Sequence, residues 1–453
     1  MKNPLLVLLV LAVACFPTIL TLPTESAGSV TTTSTSPVTT TSTNPVTTTS
    51  TNPVTTTSTN PVTTSSTNPV TTTSTNTVTT TSADSVTTDN FTETTTVTLS
   101  DTTETIAATN FVTDLHSVIK LRTRLFDPTK ISATTEMKYI QLPNDAGLMP
   151  VVGYGTWQAK DEDLEKALEA ALEAGYRHID TATVYENEHV IGNVLDRWMK
   201  AGKVKREELF IVTKLPPSGN RPSNVESFIK KSLEKLKVDY LDLYLVHTPF
   251  SFAEGPEVHP VNEDGTFKLD LTTDHIAVWK EMEKQVDAGR TKAIGLSNFN
   301  KTQISRVLKE ARIPPANLQV ELHVYFQQKE LQAFCKEHNI TMVAYSPLGS
   351  QGTGKLFGID IPNLMENPVV KKIAEKHSRK PAQVLLKFIV QNDIAVIPKS
   401  TNPERLKQNI NILDFQLSDE DMTELTALDQ GKEGRILDFS FIKGVKDHPE
   451  FPF

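Results

Sequence analysis

The stretch "VVGYGTWQAKDEDLEKALEAALEAGYRHIDTATVYENEHVIG", from Val151 to Gly192, alternates two kinds of apolar pattern. VVGYG is a short apolar run of the kind a buried strand needs. In DEDLEKALEAALEAG, the residues Leu164, Ala167, Leu168, Ala171 and Leu172 fall on one face at helical spacing. Gly175 stands where such a helix stops. HIDTA is again a strand and EHVIGNVLDRWMKAG again a helix. Strand, helix, strand in this rhythm implies parallel strands joined by helical crossovers.

The rhythm continues through LFIVTKL, LDLYLVH, KAIGLSN, LQVELH, TMVAYSP and IAVIPKS, each followed by helical sequence. Eight βα units fit between Val151 and about Ile410, roughly 260 residues, which is the size of a (β/α)8 barrel. A doubly wound open sheet is the alternative, and the lack of G-x-G-x-x-G after the first strand counts against it. YIQLPNDAGLMP, ahead of the barrel, reads as a hairpin across its bottom. The expected fold is therefore α/β: a (β/α)8 TIM barrel over residues 138–453, preceded by a linker at 111–137 and a disordered Ser/Thr-rich tail.

That tail has a different texture. Residues 28–110 are mostly Thr and Ser with recurrent Val and Pro, and four full copies of NPVTT[TS]ST lie between Asn44 and Thr75. So few large apolar residues bury too little surface to offset ordering entropy. The composition is that of an O-glycosylated, mucin-like extension, with an unmodified disordered linker as the plainer reading. Asn90, Asn300 and Asn339 open N-x-[ST] acceptors for N-glycans.

Residues 1–27 carry a Lys, an apolar run from Leu5 to about Ala14, and then small residues. The run is shorter than the ~20 residues a membrane span requires. It matches a secretory signal peptide cleaved near Ala14 or Ala27, with an uncleaved anchor as the alternative. AVAC faintly resembles a lipoprotein box, but Ala12 stands where that pattern prefers Leu. The expected location is the secretory-pathway lumen or outside the cell, with no membrane span in the mature chain.

Only Cys15 and Cys335 occur, so no intrachain disulfide is expected after cleavage. The formal charge of −9, without a long basic cluster, argues against a nucleic-acid partner. A monomer acting on a small molecule is expected.

In a barrel of this kind chemistry gathers where strands end. Strand two ends in Asp180, with Tyr185 in the loop beyond, strand three in Lys214 and strand four in His247. Strand five delivers Ser297 and Asn298, strand six Gln319, Glu321 and His323, strand seven Tyr345 and Ser346, and strand eight Lys399 and Ser400. Alone, each has a structural explanation: a Tyr for packing, a solvated Lys, a satisfied His. Together they do not read as core packing. A tyrosine, with an ordinary pKa of ~10, is a weak proton donor. A buried ammonium beside it eases proton release, and a carboxylate keeps that ammonium from being buried unpaired.

The motifs GYRHIDTATVYENEHVIG, FIVTKL, LDLYLVH, AIGLSNF, AYSPLGS and VIPKSTNPERLKQN closely resemble those of the aldo-keto reductases, across nearly all of Tyr139 to Phe453. The resemblance implies a catalytic tetrad at Asp180, Tyr185, Lys214 and His247, with Tyr185 as proton donor. It places a nicotinamide amide against Ser297, Asn298 and Gln319, its ring on Tyr345, and the pyrophosphate path along Ser346, Leu348 and Ser350. Lys399, Ser400 and Arg405 would hold an adenosine 2′-phosphate, with Gln408 and Asn409 near adenine, which favours NADPH.

Trp157 and Thr248 fall in the substrate pocket. Two positions where relatives often carry Trp hold Pro216 and Thr248 here, so a wider, less aromatic pocket is expected. LQVELHVY departs from the usual NQxExHP at Leu318 and Val324, and the ending KDHPEFPF resembles the family's C-terminal segment, which with Phe439 and Phe441 is expected to close over the substrate.

The expected activity is NADPH-dependent reduction of an aldehyde or ketone, including bulky ketones such as steroids or ecdysteroids. TKLPP and ELHVYFQQKEL are most similar to insect members, some of which are secreted and reduce 3-dehydroecdysteroids. The alternatives are a catalytically silent nucleotide-binding barrel on a mucin-like stalk, and a mucin with the barrel as a passive cap. No metal site is expected.

Overall fold

The computed structural model describes ten short backbone segments between Thr18 and Leu99, and residues 137–453 except Pro256, Gly358 and Ile359; side chains 355–357 also lie outside the described residues. The chain divides into two compact units, Met1–Ser132 and Ala133–Phe453.

In the first unit the repeat copies are extended, and alternate copies pair in parallel, with Val38 opposite Val54 and Val46 opposite Val62. β-branched Val and Thr favour this backbone, and identical copies offer identical registers. The side chains of this tail, the residues between its strands, most of the expected signal peptide, the 111–136 part of the linker and the Asn90 acceptor lie outside the described residues.

The second unit is the expected barrel. Its strands are β1 (Gly153–Gly155), β2 (His178–Asp180), β3 (Phe210–Leu215), β4 (Leu241–Val246), β5 (Thr291–Ser297), β6 (Asn317–Glu321), β7 (Thr341–Tyr345) and β8 (Ala395–Val396). They neighbour one another in that order, all parallel. A parallel bridge from Val152 to Val396, with the Val396 amide donating to the Val151 carbonyl at 2.8 Å, closes the ring.

Helix α1 (Asp161–Glu173) buries the five apolar residues expected of it and carries three acids in its first turn, where the helix dipole favours them. It ends at Gly175, whose φ of +101° suits glycine. Helices α2 (Glu188–Lys200) and α3 (Pro222–Leu236) approach closely at Gly192, where a Cβ would lie 2.1 Å from the Lys235 carbonyl oxygen. The ring continues with α4 (His275–Asp287), α5 (Lys301–Glu310) and α6 (Lys329–Glu337).

The hairpin Tyr139–Gln141 with Leu148–Pro150 sends Leu142 and Met149 into the barrel interior, where they pack with Phe210, Val212, Leu243, Leu245, Val343 and Ile397. Successive side chains on a strand alternate faces. Two residues beyond Val212, Leu245, Val343 and Ile397 on the same inward rows therefore stand Lys214, His247, Tyr345 and Lys399. The pattern that fills the core also delivers the polar layer above it.

Candidate active site

Lys214 is fully buried and Asp180 nearly so. The ammonium donates to Oδ1 of Asp180 at 2.7 Å and to the Thr181 carbonyl at 2.8 Å. A cation taken out of water this completely needs such a partner. Burial still pulls the Lys214 pKa below the ordinary lysine value, with Asp180 opposing the shift. Gln319 Nε2 donates to the other oxygen, Oδ2, at 2.7 Å.

Tyr185 stands in front of this pair, its ring centroid 5.3 Å from the ammonium nitrogen, and meets the His247 ring edge-on at 5.8 Å. Burial, then Asp180 and Tyr345, hold the phenol well above its ordinary pKa. In this state burial dominates and Asp180 engages the ammonium. Tyr185 is kept protonated. Burial, with Lys214 and His259 nearby, pushes His247 well below the usual imidazole range, so its ring is neutral at pH 7.

All of these except Lys214 line one cavity of about 930 Å³. Its walls include every other candidate residue: Trp157, Thr248, Ser297, Asn298, Tyr345, Ser346, Leu348, Ser350, Lys399, Ser400, Arg405, Gln408 and Asn409. Asn298 adopts a positive φ of 65°. Its amide nitrogen donates to the His247 carbonyl at 2.9 Å, and its oxygen accepts the Tyr345 hydroxyl at 2.7 Å. Farther along, Lys399 and Arg405 are exposed and without a salt-bridge partner among the described residues. The Asn402 side chain caps helix Pro403–Ile410 beside them.

The flat Tyr345 face, the amide and hydroxyl set of Ser297, Asn298 and Gln319, and two unpaired cations in one cavity fit a nicotinamide dinucleotide carrying a further phosphate. One N–H of the Gln319 amide is engaged by Asp180, which leaves its second N–H and its oxygen for a ligand.

The substrate end differs from expectation. Phe250, Phe252, Phe267, Phe439 and Phe441 line it with Ile442 and His259, so phenyl rings stand where the two indoles are lacking. Phe250 and Phe252 come from the loop after β4. There Ser251–Phe252 pairs with Leu269–Asp270, and the buried Asn220 donates to the Thr248 and Phe250 carbonyls at 2.9 and 3.2 Å. Phe439 packs edge-on against Phe250 at 5.2 Å.

The C-terminal segment is hung from β6. The buried Glu321 carboxylate accepts the Ile436 and Leu437 amides at 2.7 and 2.8 Å and pairs with His323 Nε2 at 3.0 Å. Sequence reasoning placed Glu321 and His323 at a strand end. It missed this role, since the partner lies more than a hundred residues on. Among the described residues, no His, Cys, Asp and Glu group is arranged to hold a metal.

The sequence model of the Aldo/keto reductase family matches residues 151–430. Aldo-keto reductase family 1 member A1 of Mus musculus is 44% identical over 310 residues, 67% of this chain and 95% of that protein. Family 1 member C1 of Pongo abelii is 41% identical over 311 residues, 68% of this chain and 95% of that protein. Among solved structures, the aldose reductase from Schistosoma japonicum superposes with a TM-score of 0.64 at 39% identity, covering 70% of this chain and 99% of its own.

Proposed function

The chain belongs to the aldo/keto reductase family, oxidoreductases acting on carbonyls, and from that premise we propose that it reduces an aldehyde or ketone to an alcohol using NADPH. The observation that carries this reading is the sealed Lys214–Asp180 pair behind a protonated Tyr185 at the cavity wall. Bound NADPH supplies a hydride to the carbonyl carbon.

The rest is the work of this chain's side chains. Tyr185 keeps its proton until the carbonyl oxygen gains alkoxide character, and then gives it up from the hydroxyl oxygen. The Lys214 ammonium behind it stabilises the phenolate left behind, and Asp180 holds that ammonium in place. The neutral His247 ring orients the carbonyl oxygen beside Tyr185. Ser297, Asn298 and Gln319 would fix the nicotinamide amide, Tyr345 its ring, and Lys399 and Arg405 the 2′-phosphate. The aromatic end, with Trp157 and Val184, supports a bulky apolar ketone of steroid or ecdysteroid type as substrate.

Recombinant barrel should oxidise NADPH with a panel of carbonyls. Tyr185→Phe should lower turnover by about 10² to 10⁴, the usual weight of a positioned acid, while NADPH binding persists. Undiminished turnover in that variant would remove the proton-donor assignment.

The apolar leader and Thr/Ser repeats further support routing into the secretory path, with the extension O-glycosylated. Sequencing the natural protein's mature N-terminus tests this, and an intact Met1 would refute it. Among the described residues no helix is long and apolar enough to cross a membrane.

A further inference from the structure

The last residues of the chain sit on three side chains along one face of the α5 N-terminus. Asn300 Nδ2 donates to the Pro452 carbonyl at 3.2 Å, Gln303 Nε2 to the Glu450 carbonyl at 3.0 Å, and Arg306 Nη1 to the Glu450 carboxylate at 2.8 Å. Asn300 also accepts the Gln303 amide through Oδ1 at 2.9 Å, so its side chain is held in one orientation. This seat fixes Phe453, which stacks on Phe439 at 5.5 Å, and Phe439 lines the cavity.

Asn300-Lys301-Thr302 is an N-glycan acceptor, and the nitrogen a glycan would take is the nitrogen that holds Pro452. We propose that Asn300 is a modification site whose glycosylation and the docking of the C-terminal residues are mutually exclusive, so that an occupied site opens the substrate end of the cavity. The inference rests on the secretory routing proposed above.

The order of events favours modification first. Pro452 lies 152 residues beyond Asn300, which takes roughly 8 to 30 s to synthesise. The acceptor therefore passes the transferase before its intramolecular partner exists. In that step the Nδ2–C1 bond to the sugar forms as the C1–O bond to a lipid-linked diphosphate breaks. The amide loses one proton and the lipid diphosphate departs. One N–H remains on Nδ2, but the sugar on the same atom claims the space of residues 450–453.

The second barrel acceptor is an internal control. Asn339 is exposed, with φ at +53°, on the turn leading into the N-terminal end of β7, away from the strand ends that carry the site.

The complete chain behind a supplied signal peptide should be secreted from eukaryotic cells as wild type and as Thr302→Ala, beside wild type made in bacterial cytosol. Thr302 is exposed and its side chain makes no hydrogen bond among the described residues, so Thr302→Ala removes the acceptor and spares the seat. Glycopeptide mapping should find Asn300 occupied only in secreted wild type. That fraction should show a KM for a bulky ketone about tenfold above the other two, the scale of one or two lost charge-assisted hydrogen bonds. It should also be cut faster by trypsin after Lys443 or Lys446, with the KM for a small aldehyde unchanged and Asn339 occupancy without effect.

A vacant Asn300 in secreted wild type overturns the proposal. So does an occupied Asn300 with the KM and trypsin resistance of the bacterial protein. Because the supplied signal forces routing, a natural protein found in the cytosol would instead refute the routing alone.

Discussion

Gln319 and Asp180, 139 residues apart, are joined by a 2.7 Å hydrogen bond that occupies the carboxylate oxygen Lys214 leaves open. The carboxylate is thereby saturated from two sides in a buried site, and both the cation of β3 and the amide of β6 depend on it. Asp180→Asn keeps the shape but leaves Lys214 without a counter-charge. Breaking a buried pair in this way costs about 3 to 5 kcal/mol. The expected outcome is a clear drop in denaturant midpoint together with at least a hundredfold fall in kcat; a variant as stable as wild type would contradict the account.

Acid should loosen this barrel earlier than its carboxylates alone would suggest. His178, His247 and His275 all have pKa values lowered by burial. Below about pH 6.5 the unfolded chain protonates these rings and the folded chain does not, so stability falls as pH falls through that window. Each group contributes up to about 1.4 kcal/mol per pH unit. Urea midpoints at pH 7.5 and 5.5 should therefore differ, with the lower value in acid, and equal midpoints would count against burial of neutral rings.

Cofactor choice should reside in Lys399 and Arg405. Replacing both by Ala is expected to raise the KM for NADPH by about tenfold to a hundredfold, the cost of losing hydrogen bonds to a charged group. The KM for NADH, which lacks the 2′-phosphate, should stay where it is. Equal losses with the two nucleotides would relocate the phosphate site.

Thr248 is 5% exposed and lines the cavity beside Phe250. Thr248→Trp restores the indole that relatives often carry there and narrows the substrate end. A bulky ketone should lose about 10² in kcat/KM, with small aldehydes still turned over. Loss of both alike would indicate disruption of the loop, whose Phe250 carbonyl Thr248 also engages.

The barrel was legible because strands and helices announce themselves in different periods, and because short strands bring Asp180, Lys214 and His247 to one rim wherever the pattern is read correctly. The same alternation brought Ser297, Gln319 and Tyr345 to that rim, while their assignment to a cofactor rests on the resemblance of the motifs. Of the aromatic substrate end, the C-terminal Phe439 and Phe441 were legible and the loop phenylalanines were not. Phe250, Phe252 and Phe267 sit in an irregular stretch between β4 and α4 that has no period to read, and Phe439 reaches them from a segment held by the Glu321 carboxylate, by the α5 seat and by the His448 bond to the Asp270 carbonyl. Tryptophan positions say nothing of the phenyl rings that the loop and the C-terminal segment bring in from elsewhere in the chain. The partners of Gln319 and Glu321 were hidden for a related reason: both contacts close across more than a hundred residues, beyond any local pattern.

Strand β6 gives those two contacts a shared consequence. Gln319 and Glu321 stand two residues apart on one row, the first gripping the carboxylate beneath the catalytic phenol, the second holding the backbone at residues 436 and 437. A ligand that contacts Gln319 would load the same strand that suspends the residues at 436 and 437. Linkage is reciprocal. Whatever free energy a ligand at Gln319 would spend ordering the substrate wall, a ligand at that wall would return as tighter retention of the first.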